Sequence, residues 1–293
     1  MKRILIIGKN GQVGWELQRT LLPLGTVTAI DVGEIDFTNA DSIRSVVREI
    51  KPELIVNAAA YTAVDQAESE PKIAMAVNGV APGILAEEAK SLQATLVHYS
   101  TDYVFDGTKQ GAYDEADVPA PQNEYGRSKL AGDRAIQQVG CDHIIFRTSW
   151  VYGARGKNFL LTILRLARER DHLKIVEDQV GAPTWSRMIA EATALVFSRR
   201  AGGQERPVGI YNLTCGGKTS WFGFTQAIVA KAGSLLEGKS PVIAPIPTRG
   251  YPQPAKRPAN SVLSHDRLEK DFAVRLPDWE EALSLCLQEL ARS

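Results

Sequence analysis

The chain is poor in cysteine, with Cys141, Cys215 and Cys286 as the only three in 293 residues. An odd number, widely scattered and without metal-ligand spacing, excludes a disulfide framework and fits a reducing compartment. Charge of one sign is also lacking, because 34 basic residues balance 34 acidic ones. With no basic run and no interleaved aromatic stripe, a nucleic-acid surface is not expected, and any phosphate-bearing partner should be a small molecule gripped by local groups. Long hydrophobic runs are missing too. Met1-Lys2-Arg3 leads directly into a short apolar stretch and Gly8, far short of a signal peptide or a membrane span. The expectation is a cytoplasmic protein that handles a metabolite. His98, His143, His172 and His265 form no spaced cluster, so no histidine metal site is expected.

What the chain does have is alternation. Short apolar runs at Ile4–Ile7, Val27–Ile30, Leu54–Asn57, Thr95–Tyr99 and His143–Arg147 are separated by stretches of helical period, at Gly14–Leu22, Asp41–Ile50, Ala74–Ser91 and Tyr125–Val139. That pattern predicts an α/β fold, a Rossmann-like doubly wound parallel sheet with helices on both faces. Ligands of such sheets bind at the C-terminal ends of the strands. After Val151 the rhythm loosens. Helices are expected at Phe159–Arg170, Ser186–Arg199, Trp221–Ala232 and Asp278–Ala291, with a Gly-rich turn at Ala201–Gly203 and a strand at Ile210–Thr214. Pro241–Pro258 holds six prolines and should be an extended loop without helix. The predicted division is a nucleotide-binding domain over 1–152, rejoined by about 205–232, and a smaller C-terminal substrate-binding lobe from about 153–204 and 233–293.

Gly8-Lys-Asn-Gly11-Gln-Val-Gly14 follows the first strand and opens the first helix. Glycines there let the backbone turn tightly against a pyrophosphate, whose charge sits at the helix N-terminus, with Gln12 and Val13 beside it. The spacing is G-x-x-G-x-x-G. Asp31 ends the second strand, where a carboxylate can accept hydrogen bonds from a ribose diol and so favours NADH over NADPH. Lys9 pulls the other way, since it could meet an additional phosphate. Asp36 beside Phe37 suits the amino group and face of an adenine, or else forms the N-cap region of the next helix. The small residues of Asn57-Ala-Ala-Ala-Tyr-Thr62 permit close backbone approach to a flat ligand, which puts the nicotinamide ribose near Ala60, Tyr61 and Thr62.

Tyr125 and Lys129 lie at i and i+4, on one face of a helix. A phenol beside a cation is a general acid or base with its tuner. Tyr99 and Ser100-Thr101 end a central strand, and the Thr101 hydroxyl can bond a substrate oxygen alongside that tyrosine. These residues, in this order, resemble the extended short-chain dehydrogenase/reductase superfamily. Further blocks at Val56–Ala60, Ser100–Phe105, Tyr125-Gly126, Phe146–Tyr152, Asp178–Thr184 and Arg257–Ser261 resemble the dTDP-4-dehydrorhamnose reductase family within it.

That resemblance implies reduction of the C4 ketone of a dTDP-4-dehydro sugar with NADPH or NADH, in nucleotide-sugar and cell-surface polysaccharide synthesis. It implies Tyr125 as proton donor, Lys129 as ribose ligand and depressant of the tyrosine pKa, and Thr101 as third catalytic hydroxyl. It further implies Asp102 and Trp150 at the sugar and Arg257 at the diphosphate, where a surface ion pair is the plainer alternative. A dehydratase would need a glutamate where Tyr103 stands. An epimerase of the same superfamily remains open, as does a non-catalytic regulatory subunit like the β subunit of methionine adenosyltransferase, although Trp150 speaks for the reductase. Some of these reductases form homodimers around a magnesium ion held by three glutamates. Glu16 and Glu289 fit two of those places, but Arg187 stands at the third, which puts both metal and dimer in doubt.

Overall fold

The computed structural model describes residues 1–202 and 207–292; Gly203, and the first two residues of the segment expected to return at about 205, lie outside the described residues. The first half runs β1 (Lys2–Ile7), α1 (Gln12–Thr20), β2 (Gly25–Ile30), α2 (Ala40–Ile50), β3 (Leu54–Asn57), α3 (Val64–Ala67), α4 (Pro71–Met75), α5 (Ala81–Ser91), β4 (Thr95–Thr101), α6 (Glu124–Val139) and β5 (Asp142–Thr148). The second runs β6 (Val151–Tyr152), α7 (Phe159–Glu169), β7 (His172–Val176), β8 (Val180–Gly181), β9 (Thr184–Trp185), α8 (Ser186–Gly202), β10 (Gly209–Asn212), β11 (Thr219–Ser220), α9 (Trp221–Lys231), β12 (Val242–Ile246), α10 (Asp266–Phe272) and α11 (Trp279–Arg292).

Six strands form one parallel sheet in the order β10-β5-β4-β3-β1-β2. The chain starts one strand in from the edge, winds outward to β2, then crosses back to β3, so the switch of direction falls between β1 and β3. Alternate residues of the strands enter different cores: Ile4, Ile6, Val56, Val97 and Phe146 pack on one face, and Leu5, Ile7, Ile55, Leu96 and Ile145 on the other. A strand covered on both faces must be apolar throughout, which is why its sequence shows an unbroken run. At roughly 1.5–3 kcal/mol per fully buried aliphatic side chain, these two layers are the main support of the site at the sheet's edge.

The helices obey local rules. Asn39 caps α2 by accepting from the backbone N–H groups of Asp41 and Ser42, and Ile43 and Val47 bury its apolar face. Where one helix was expected over Ala74–Ser91, the structure has α4, a π-turn over Ala76–Val80, and α5. Pro82 explains the break: it has no N–H to donate and its ring crowds the carbonyl four residues back, so the chain widens by a residue there. That widening buries Asn78, whose use appears below.

Pro241–Pro258 also differs from expectation. Its first part is the strand β12, paired in parallel with β7 so that Pro245 stands opposite Ile175. A two-stranded sheet is all edge, and an edge strand tolerates the missing N–H of a proline. The helix expected to stop at Arg199 runs on to Gly202, through most of the predicted Ala201–Gly203 turn. Among the described residues no helix is long and apolar enough to cross a membrane.

Candidate active site

A cavity of about 850 Å³ opens along the C-terminal ends of β1, β2, β3, β4 and β5. Its walls carry most of the residues singled out for the cofactor: Gly8, Gly11, Gln12 and Val13, then Asp31, Asp36 and Phe37, then Ala60 and Thr62, and finally Tyr99, Tyr125 and Lys129. Sequence segments far apart thus meet because parallel strands end on one side.

The glycine turn is fixed by its own packing. Gly8 and Lys9 donate to the carbonyl of Ile30, and Gly11 donates to that of Gly8. Gly14 sits in the first turn of α1, and a Cβ on it would lie 1.9 Å from the Gly8 carbonyl oxygen, so only glycine lets helix and turn approach. Gly11 precedes α1 without a side-chain cap, which leaves the helix N–H groups directed at the cavity. Asp31 receives the backbone N–H of Asn10 (2.8 Å) and of Val32 (2.7 Å), so it braces the turn as well as facing the cavity. Asp36 accepts from the amide and hydroxyl of Thr38, and the cap of α2 is Asn39 rather than Asp36.

Tyr61 does not line the cavity. Its backbone is clamped by Asn78, whose side chain accepts from Tyr61 N–H (2.8 Å) and donates to Tyr61 C=O (3.0 Å) and to the Ser128 hydroxyl (3.1 Å). The π-turn therefore ties the Ala60–Thr62 loop to α6. Its phenol donates to Glu70 (2.7 Å).

Helix α6 begins at the chemical end. Asn123 caps it by accepting from Gly126 N–H (2.8 Å), which puts Tyr125 in the first turn. A Cβ on Gly126 would lie 2.2 Å from the Tyr103 carbonyl oxygen, so glycine allows the helix to start directly against the end of β4. The rings of Tyr103 and Tyr125 meet edge to face, 5.5 Å between centroids. Burial pushes the Tyr125 phenol up to about 12, the neighbouring Thr101 hydroxyl lowers it only in part, and the Asp102 and Asp133 carboxylates add to the rise. The net direction is opposite to the depression expected from Lys129. Burial sets that direction, and the Lys129 ammonium is engaged elsewhere: it donates to the Tyr99 carbonyl (2.5 Å) and lies 3.3 Å from His98 Nε2.

Behind the cavity lies a buried polar layer that sequence reading missed. The Ala59 N–H donates to Asn57 Oδ1 (3.2 Å), which turns the Asn57 amide toward His98 Nδ1 (3.1 Å). Burial and the nearby Lys129 hold the His98 imidazole well below its usual range, hence neutral. Arg147 and Asp133, both buried, form an ion pair at 3.4 Å beneath Lys129. The signal available was a polar residue inside an otherwise apolar strand, Asn57 and His98 being cross-strand partners.

The substrate-side candidates stand beside the cavity lining rather than on it. Burial raises Asp102 to about 6, against the hydroxyls of Ser261 and Thr101. Trp150, at φ 47°, stacks on Trp221 with centroids 3.5 Å apart and has Gly181 against its other side. Arg257 pairs with Asp65 (2.8 Å) and donates to the Ala255 carbonyl. The Arg257 side chain is 12% exposed and that of Asp65 39%, so a largely buried guanidinium pairs with a carboxylate that reaches the surface.

The residues that would hold a magnesium ion do not fit one. Glu16 is buried, and the Arg187 guanidinium already bridges it (3.3 Å) and Glu289 (2.8 Å). Among the described residues no group of three acidic, histidine or cysteine side chains could hold a metal. A fixed cation in that place predicts that a chelator leaves turnover unchanged. Arg187→Glu should destabilise the fold by roughly 3 kcal/mol, by crowding carboxylates and removing their partner. Thermal unfolding with and without magnesium checks this, and wild-type stabilisation by the metal would contradict it.

The family profile described as "RmlD substrate binding domain" matches residues 1–292. The chain is 50% identical to the dTDP-4-dehydrorhamnose reductase of Burkholderia thailandensis, over 98% of this chain and 99% of that one. It is 44% identical to the enzyme of the same name from Escherichia coli K12, over 98% and 97% of the two chains. The crystal structure of the Bacillus anthracis dTDP-4-dehydrorhamnose reductase in complex with NADP superposes with a TM-score of 0.91 at 35% identity, covering 98% and 99%. With matches that run through both halves of the chain, the protein belongs to the dTDP-4-dehydrorhamnose reductase family.

Proposed function

We propose that the chain reduces the C4 ketone of dTDP-4-dehydro-L-rhamnose to dTDP-L-rhamnose. NADH or NADPH bound along the strand ends supplies the hydride to C4. The chain's own part is to hold the ketone and deliver the proton. Tyr125, kept protonated by burial, gives its proton to the C4 oxygen as the alkoxide develops, and the neighbouring Thr101 hydroxyl shares the charge. A donor that acts only on the developing alkoxide lowers the barrier without tightening the ground state. Lys129, held between Tyr99 and His98, is positioned to meet the ribose hydroxyls at the cavity wall.

On the substrate side, Asp102 and Trp150, at the strand ends of the nucleotide-binding domain, face the sugar, and Arg257, from the smaller C-terminal lobe, faces the diphosphate. A guanidinium carries five N–H donors, and the bonds to Asp65 and Ala255 leave others for phosphate oxygens. The observation that carries the assignment is the full-length likeness to reductases of this name. Following nicotinamide absorbance with dTDP-4-dehydro-L-rhamnose tests it: oxidation with this sugar is expected, and oxidation only with a different nucleotide sugar would overturn it. Retained cofactor with no net oxidation would instead mark an epimerase.

A further inference from the structure

At the end of the cavity where β2 stops, the chain places two carboxylates and one lysine. Asp31 and Glu34 both line the wall, and Lys9 belongs to the glycine turn beside them. The turn after β2 folds back through Gly33, at φ +98°, so that Glu34 N–H donates to the Asp31 carbonyl (3.0 Å). This brings the Glu34 carboxylate over Lys9, and Glu34 Oε2 accepts from the Lys9 ammonium at 2.6 Å and from Asp31 N–H at 3.0 Å. The lysine that could have met an extra phosphate is therefore already engaged. Two further lysines line the cavity: Lys129 stands at the Tyr125 end, bonded to the Tyr99 carbonyl, and Lys157 follows Gly156, whose α-carbon lies beside the Gln12 side chain.

We propose that Glu34 is the residue by which this chain discriminates against the 2′-phosphate of NADPH, so that NADH is the better reductant. A phosphate monoester brings a charge of about −1.5 to −2. Next to Asp31 it would meet a second carboxylate and a lysine whose charge is spent. A 2′-hydroxyl brings no charge and can donate to Asp31. The Lys9–Glu34 pair is partly exposed, at 30% and 48% for the two side chains, and such pairs open at little cost. The outcome is a bias between cofactors and not an exclusion of one.

The proposal rests on the cavity being the nicotinamide-cofactor site, and the experiment separates the two. Calorimetric binding of ADP and of 2′,5′-ADP, which needs no sugar, should be compared in wild type, Glu34→Gln and Glu34→Gln with Lys9→Met. Glutamine keeps an acceptor for Asp31 N–H while releasing Lys9. Wild type should bind ADP more tightly, and Glu34→Gln should tighten 2′,5′-ADP about tenfold, equivalent to ~1.4 kcal/mol, with ADP nearly unchanged. Adding Lys9→Met should erase that gain. The kcat/KM values for NADPH and NADH should follow the same ratio. Failure of wild type to bind ADP would overturn the site and the proposal together. ADP binding with an unchanged ratio in Glu34→Gln, or an equal fall for both ligands, would overturn the role of Glu34 alone.

Discussion

Tyr125→Phe should fold, bind NADH and lose turnover by about a hundred- to ten-thousand-fold, the span usual for a removed general acid. The substitution takes away one hydroxyl. The ring contact with Tyr103 and the Asn123 cap of α6 do not depend on it, so the helix start and the cavity wall persist. Without the phenol the developing alkoxide keeps Thr101 as its nearby donor, and a secondary alcohol gives up its proton less readily still. The loss should fall on kcat, because the proton moves only as hydride arrives, and KM should shift little. Stopped-flow absorbance in a single turnover, with cofactor binding followed by nucleotide fluorescence, makes the distinction. A variant retaining turnover within about tenfold of wild type would remove Tyr125 from the proton-donor role.

Much of this site was legible because it obeys rules that act over short stretches of chain. The glycine turn, the carboxylate ending β2 and the i, i+4 tyrosine and lysine each carry their physics in adjacent residues. The parallel sheet followed from apolar runs alternating with helical periods, and sheet topology then brought those segments to one edge. What stayed hidden was set by contacts across the sheet. Asn57 and His98 are neighbours only through the β3–β4 register, and the sequence separates them by 41 residues. Glu34 acquires its meaning only when the turn at Gly33 folds it over Lys9. The direction of the Tyr125 shift is set by burial, which the i, i+4 spacing does not show. Spacing put Lys129 on the same helical face, but the Tyr99 carbonyl on the neighbouring strand claims its ammonium.

That placement makes Lys129 costly to keep, and Lys129→Met should move stability and activity in opposite directions. Lys129 is 1% exposed, and burial lowers its ammonium from the ordinary 10.5 to about 8, with Asp133 resisting the fall. In the unfolded chain the lysine returns to its ordinary value. Between about pH 8 and 10.5 the unfolded state then binds more protons than the native one, so stability rises with pH across that window. Below about pH 8 the penalty is present in full, on the order of 3 kcal/mol for a difference of that size. Methionine fills similar space without charge, though it strands the Tyr99 carbonyl that Lys129 satisfies, which returns roughly 1–2 kcal/mol of the gain. The variant should therefore be about 1–2 kcal/mol more stable than wild type at pH 7, and the advantage should shrink through the window from about pH 8 to 10.5 and be gone by about pH 11, where wild-type Lys129 is mostly neutral in both states. Turnover should fall by about a hundredfold or more, in line with loss of a group that orients the reacting partners. Urea unfolding at the two pH values, read beside kcat, checks both halves. A variant less stable than wild type at both would mean that Lys129 holds the fold together, whereas a stability gain joined to lost turnover identifies a residue kept for chemistry against its cost to the fold.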